Sequence, residues 1–214
     1  LDGSAWIGNA GESGSGTFVL GGSATKIGIV VGGTRVDDTG VADPDGEYLK
    51  PPFDYCTCED RDNDGLIRTS RGIGDVLEWE NFDGSDDPGA RYVPDDTGPE
   101  GTRRTGTESA KDECILRYTR LTSTGIRTVL LDKDNNVWAG GWDRPRWHEK
   151  IAGNTGIRFP DNQPNSRFVF PANPNSLGGY CGLIDGLDYL WSSTWTAPLI
   201  RVNTNNVADA ATVT

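Results

Sequence analysis

Short apolar segments alternate with turn-forming residues along the chain. Runs of alternating apolar and polar positions, bounded by Gly, Pro, Asn and Asp, predict β-strands. No segment carries the 3.6-residue period of an amphipathic helix. Strands are predicted at residues 17–20, 24–31, 114–119, 128–131 and 167–170. The sequence therefore predicts an all-β protein with many turns.

A related segment occurs three times, with an Asp/Gly/Asn turn followed by an apolar residue and a tryptophan. The copies are LDGSAWIGN at 1–9, LDKDNNVWAG at 131–140 and LIDGLDYLWS at 183–192. The turn residues favour a tight hairpin, and the alternation after them favours a strand. Trp138 and Trp191 are 53 residues apart, near the period of roughly 40–50 residues that is typical of propeller blades.

A long polar segment lies between the first two copies, at about residues 32–113, and is rich in Asp, Gly, Pro and Thr. So long a segment without a clear strand pattern is usually functional or disordered. We expect a single domain at 1–214 that carries this segment as a loop insertion. Because the chain begins with Leu inside a repeat and contains no Met, we expect a mature or partial chain.

The repeats resemble those of bacterial secreted β-propellers of the NHL and streptogramin-lyase-like type. The resemblance rests on DGSAWIGN, SATKIG and DKDNNVWAGG and covers residues 1–28 and 114–202. It implies a ring of four-stranded blades. About three blades can be identified, whereas a ring needs at least about four. We therefore expect a propeller or partial blade array, in which the chain is a fragment, copies associate, or the insertion hides a blade.

The segment DRDNDGLIRTS at 60–70 contains the most specific chemical pattern of the chain. Asp60, Asp62 and Asp64 alternate before Gly65, as in the first half of an EF-hand or dockerin-type calcium loop. The alternate carboxylates converge on one side of a tight turn, and the carbonyl of Leu66 would supply a further oxygen. Oxygen ligands of this kind select Ca²⁺ over transition metals.

The second half of the calcium loop departs from the pattern. Arg71 stands where a bidentate Glu belongs, and no amphipathic helices flank the loop. We predict that Asp75 replaces the missing ligand, with Glu59 and Glu78 as alternatives. The competing interpretation is an acidic surface turn that binds no metal.

Charge and cysteine content restrict the partners and the compartment. The net charge of -12 disfavours nucleic acid, whose phosphates it repels, and no run of about 18 apolar residues predicts a membrane span. With one histidine in the sequence, a zinc site is poorly supported. We expect disulfides and an oxidising, extracellular location, with three pairings open and four buried free thiols as the alternative. The candidate cysteines are Cys56, Cys58, Cys114 and Cys181.

An aromatic and basic cluster, which includes Trp142, Arg144, Trp147 and His148, interrupts the acidic sequence. It would stack a sugar or an anionic ligand, although blade packing explains the same residues. We predict a secreted, calcium-binding β-propeller that acts as a structural, binding or self-assembling module, with homo-oligomers formed through an open sheet edge. The alternative is a secreted lyase- or hydrolase-type enzyme whose site lies at the central mouth of the propeller.

Overall fold

The structure is a computed structural model of the 214-residue chain. It describes residues 3–9, 13–14, 17–18, 22–72, 77, 111–121, 123, 125–141, 147–160, 162–169, 179–193 and 199–213. These residues form strands and turns, and no helix occurs among them. The predicted all-β class is confirmed. No helix of the described part is long and apolar enough to cross a membrane.

The strands are short and follow one another along the chain. In order they are β1 (Ala5–Asn9), β2 (Ser13–Gly14), β3 (Thr17–Phe18), β4 (Ser23–Ile27), β5 (Val30–Val36), β6 (Tyr48–Cys56), β7 (Ile67–Arg68), β8 (Ile115–Arg120), β9 (Ile126–Leu131), β10 (Val137–Gly141), β11 (Trp147–Ile151), β12 (Arg167–Val169), β13 (Cys181–Ile184), β14 (Tyr189–Ser193), β15 (Leu199–Asn203) and β16 (Asn206–Val213).

Two four-stranded antiparallel meanders contain the second and third tryptophan repeats. Their strand orders are β12-β11-β10-β9 and β13-β14-β15-β16, so each strand pairs with its neighbour in the chain. The repeat forms the hairpin between the first and second strands of each meander. Asn135 and Asp188 take left-handed conformations in these hairpins, with φ of 61° and 63°. Asn and Asp tolerate this conformation well, which explains their place in the turns.

The remaining strands form smaller sheets. Strands β1, β4 and β8 pair in that order, β2 pairs with β3, and a further sheet has the order β5-β6-β7. The prediction of one strand at 24–31 is wrong, because β4 ends at Ile27 and β5 begins at Val30. Between them, a Cβ at Gly28 would lie 3.1 Å from the backbone nitrogen of Cys58, so this close approach favours glycine.

The prediction of loop for residues 32–113 is wrong where β5, β6 and β7 lie. Register shifts flank Gly32 in the pairing of β5 with β6, and Gly32 has φ of 82°. Strand β6 contains Pro51 and Pro52. Glycine at bulges and proline in strands both interrupt the alternating pattern by which strands are identified in a sequence.

The chain divides into two compact units, whereas the sequence predicts one domain with an insertion. The first unit takes residues from 1–6, 26–97 and 107–118, and the second from 7–25, 98–106 and 119–214. In the first unit Leu49, Ile67 and Cys114 form a buried cluster. The core of the second unit consists of Trp138, Phe168, Leu190, Ile200 and Val202.

Candidate metal centre

The segment from Asp60 to Leu66 folds into a series of carboxylate-capped turns. The backbone N–H of Asp64 donates to Asp62 Oδ1 at 3.2 Å, and that of Leu66 donates to Asp64 Oδ1 at 2.7 Å. The N–H of Gly65 donates to Asp60 Oδ2 at 3.0 Å. Gly65 has φ of 83°, in the left-handed region where glycine carries no steric penalty. The local sequence thus forms the tight acidic turn that the spacing predicts.

The carboxylate that joins this turn is that of Glu113. Carboxylate oxygens of Asp60, Asp62 and Glu113 lie within 4.8 Å of one another. Glu113 is held from both sides, since its Oε1 accepts the N–H of Arg61 at 2.7 Å and its Oε2 accepts the N–H of Arg68 at 2.8 Å. The chain therefore supplies a third carboxylate from a distant segment.

The cluster concentrates negative charge around a buried carboxylate oxygen. Burial raises the pKa of Glu113, which is 6% exposed, and the charges of Asp62 and Asp60 raise it further against the two backbone hydrogen bonds. Within the described part of the chain, Asp60 Oδ1 is buried and has no hydrogen-bond partner. Asp62 is exposed. A divalent cation would satisfy the buried oxygen and relieve the repulsion among the three carboxylates.

A disulfide fixes the two segments that carry the cluster. Cys58 and Cys114 are bonded with their Cα atoms 4.4 Å apart, within the range for disulfides. Cys58 lies two residues before Asp60, and Cys114 directly follows Glu113. The N–H of Glu59 also donates to the carbonyl of Glu113 at 3.1 Å. The covalent bond thus holds Glu113 against the acidic turn.

Cys56 and Cys181 are free thiols, half-buried and exposed respectively. The prediction of a disulfide is confirmed for Cys58 and Cys114. It is wrong for the other two cysteines, as is the alternative of four buried free thiols. The Sγ of Cys56 instead lies 3.9 Å from the carbonyl oxygen of Cys58.

The predicted metal ligands differ in their placement. Asp60 and Asp62 contribute to the cluster, whereas the carboxylate of Asp64 caps the N–H of Leu66. Asp75 lies outside the described residues. Sequence reasoning missed Glu113, because the segment that carries it is distant in the chain. Its position beside Cys114 would have located it, had the cysteine pairing been known.

The predicted ligand-binding cluster is only partly described. Trp142 and Arg144 lie outside the described residues. The guanidinium of Arg167 on β12 lies 4.0 Å from the ring centroid of Trp147 on β11. His148 is fully buried against Gly140, and burial lowers the pKa of His148 to about 3. The imidazole is therefore neutral near pH 7 and belongs to the packing of the sheet.

Comparison of the chain with protein-family models, curated proteins and solved structures finds no match in any of the three. The function is therefore inferred from the geometry of the chain itself.

Proposed function

We propose that this protein is an extracellular, calcium-stabilised β-propeller module with a structural or binding role. The observation that carries the proposal is the convergence of Asp60, Asp62 and Glu113 beside the Cys58–Cys114 disulfide. The DxDxDG turn supplies one side of the site, and Glu113 takes the part of the acidic residue that the linear pattern lacks. Bound calcium would add a link between two segments that the disulfide, backbone hydrogen bonds and the side chains of Arg61 and Glu59 already connect.

The donor set favours calcium among the biological cations. The three side chains offer carboxylate oxygens alone, which suit hard cations rather than zinc or copper. Calcium accepts six to eight oxygen ligands in flexible geometry, whereas magnesium demands a near-ideal octahedron. The exposed carboxylate of Asp62 leaves room for water or backbone oxygens to complete the shell. A site assembled from a turn and a distant glutamate suits calcium better than magnesium, because calcium accepts irregular coordination geometry.

Repetition of the two meanders supports the propeller arrangement. Each is a four-stranded antiparallel unit of the kind that forms a blade. Their first strands, β9 and β13, are neighbours: a Cβ at Gly182 would lie 3.4 Å from side-chain atoms of both Leu130 and Thr128. First strands that adjoin one another are expected where blades surround a common axis.

A structural or binding role agrees with the environment of the single histidine. General acid–base catalysis requires a titrating group within reach of the substrate, and His148 is buried and neutral. The Cys58–Cys114 disulfide supports an oxidising compartment outside the cytosol. We therefore favour a calcium-stabilised module over a secreted lyase or hydrolase.

Thermal unfolding of the metal-free protein, with and without added calcium, tests this proposal. A ligand that binds only the folded state stabilises it by about 2.7 kcal/mol at a hundred times its dissociation constant. We expect the melting temperature to rise with calcium, to rise less with magnesium, and to fall in EGTA. Asp45→Asn, which removes an exposed carboxylate outside the site, should respond as the wild type does. Identical melting curves in calcium and in EGTA would refute the proposal.

A further inference from the structure

Within the part of the chain that the structure describes, the last meander has one face that packs in the core and one face that is largely exposed. Alternate residues of its strands point to opposite sides, and Leu190, Ile200 and Val202 belong to the buried core. The other side carries an apolar cavity of about 390 Å³. We call this side the Trp191 face; the residues around the cavity are Cys181, Gly182, Leu183, Trp191, Ser193 and Leu199.

The preceding meander has an equivalent face that is covered. Trp138 lies opposite Leu130 on one side and Lys150 on the other. Trp191 occupies the same place, opposite Leu183 and Arg201. Trp138 is 0% exposed and Leu130 is half-buried, whereas their counterparts Trp191 and Leu183 are half-buried and 54% exposed. The two faces are alike in pattern, but among the described residues the Trp138 face is the more deeply buried.

The cover on the Trp138 face is the opposite face of the next meander. Trp138 shares its core cluster with Leu190, Ile200 and Val202. The same relation occurs one repeat earlier, where a Cβ at Gly8 in β1 would lie 2.8 Å from side chains of Ile126 and Val129. These two residues lie on the side of the second meander away from Trp138.

We propose that the Trp191 face binds the face of a second copy of this chain that carries Ile7, in a head-to-tail contact. Ile7 neighbours Gly8 in β1, so it points to the other side of that strand, and it is 51% exposed. In each packed pair, the face that carries the tryptophan of one repeat contacts the face of the following repeat that points away from its own tryptophan. Among the described repeats, the first therefore exposes the face that carries Ile7, and the third exposes the face that carries Trp191. The proposal rests on the blade arrangement proposed above.

The chemistry of the Trp191 face fits such a partner. Leucine side chains and an indole surround the cavity, and the side chains that cover the equivalent Trp138 face are aliphatic. An isoleucine would remove apolar surface from water on both sides. Two different patches that meet in this way form a heterologous contact, which closes into a ring or extends into a filament.

Matched leucine substitutions test the face. Leu183→Glu places a charge on the Trp191 face, and Leu187→Glu makes the same change in the adjoining turn, at a residue that is 79% exposed. Sedimentation equilibrium should show that the wild type and Leu187→Glu form species of two or more chains. Leu183→Glu should remain a monomer. A wild type that stays monomeric at every soluble concentration, or equal masses for the two variants, would overturn the proposal.

A mixture of two variants tests the head-to-tail geometry. Ile7→Glu should also be monomeric alone, but it keeps an intact Trp191 face, and Leu183→Glu keeps an intact Ile7 face. The mixture should therefore form a one-to-one dimer that grows no further. A mixture that remains monomeric would exclude this contact. As a second readout, maleimide labelling of Cys181 should slow as wild-type concentration rises and stay fast in Ile7→Glu.

The tests of this contact between copies can fail independently of the test of the calcium site. The calcium-dependent shift in melting temperature should persist in monomeric Leu183→Glu, because the metal cluster does not include this face. Association without a calcium shift would refute the calcium site and leave the contact intact. A calcium-dependent shift in melting temperature without association would refute the contact between copies and leave the calcium site intact.

Discussion

Trp138 donates a hydrogen bond from its indole Nε1 to Oδ2 of Asp132, at 3.2 Å. The other carboxylate oxygen of Asp132 accepts the N–H groups of Asp134 and Asn136 at 3.0 and 2.8 Å. One side chain therefore both closes the turn and positions the indole of the next strand. The third repeat has the same arrangement, in which Trp191 donates to the turn aspartate at 2.8 Å. In both of these hairpins the aspartate therefore has a structural role in the turn.

Removal of this carboxylate should destabilise the protein strongly. Asp132→Ala leaves two backbone N–H groups, the Trp138 indole and the ammonium of Lys150 without their acceptor. A buried donor without a partner costs about 1–3 kcal/mol, so we expect a loss of about 2–4 kcal/mol in the free energy of unfolding. Urea denaturation measures it. Asp134→Ala, an exposed acid in the same turn, should cost less than about 0.5 kcal/mol.

Substitution of Gly140 should disrupt the packing of His148. A Cβ at this position would overlap the imidazole ring, because the two residues are cross-strand partners. We expect Gly140→Ala to lower the free energy of unfolding by about 1–3 kcal/mol, as overpacking does. Gly186→Ala is the control, since its Cβ would meet no atom within 4 Å. Equal urea midpoints for both variants would show that the imidazole is not packed as described.

Loss of the disulfide should weaken both stability and calcium binding. Cys114→Ser opens a link across 56 residues, for which chain entropy predicts a loss of about 4 kcal/mol. Calcium affinity should also fall, because only hydrogen bonds and packing, and no covalent bond, would then hold Glu113 beside the Asp60 turn. Cys56→Ser removes a free thiol and should change neither property appreciably. A Cys114→Ser protein that binds calcium like the wild type would show that the tether is unnecessary.

The buried histidine should make the protein sensitive to mild acid. Burial lowers the pKa of His148 from 6.5 to about 3 in the folded state, so the unfolded chain takes up a proton first as the pH falls. Protonation of this histidine therefore leaves the free energy of unfolding unchanged above pH 6.5. Between pH 6.5 and about 3 it lowers that free energy by about 1.4 kcal/mol per pH unit.

Comparison with a variant isolates this contribution. His148→Asn cannot titrate, so the difference in unfolding free energy between it and the wild type should be constant above pH 6.5. Below that pH the difference should shrink. A difference that is independent of pH from 7 to 4 would contradict the buried, neutral state of the imidazole.

Features encoded by neighbouring residues could be predicted from the sequence, while features that depend on distant pairing could not. The Trp138 and Trp191 hairpins and the turn at Asp60 each depend on a short segment, so their turn chemistry identifies them. Glu113 joins that turn only through tertiary contacts, and no local pattern marks it. The pairing of β5 with β6 escaped prediction because Gly32 and Pro51 interrupt the alternation on which strand prediction depends.

Calcium titration of Glu113→Gln by isothermal calorimetry tests the central claim most directly. The variant keeps the size of the side chain but removes one negative charge from the cluster. We expect the wild type to bind calcium through this site and Glu113→Gln to bind it at least about tenfold more weakly, a difference of about 1.4 kcal/mol. Glu59→Gln, which removes a neighbouring charge paired with Arg117, should retain wild-type affinity. Equal affinities of the wild type and Glu113→Gln would contradict the account.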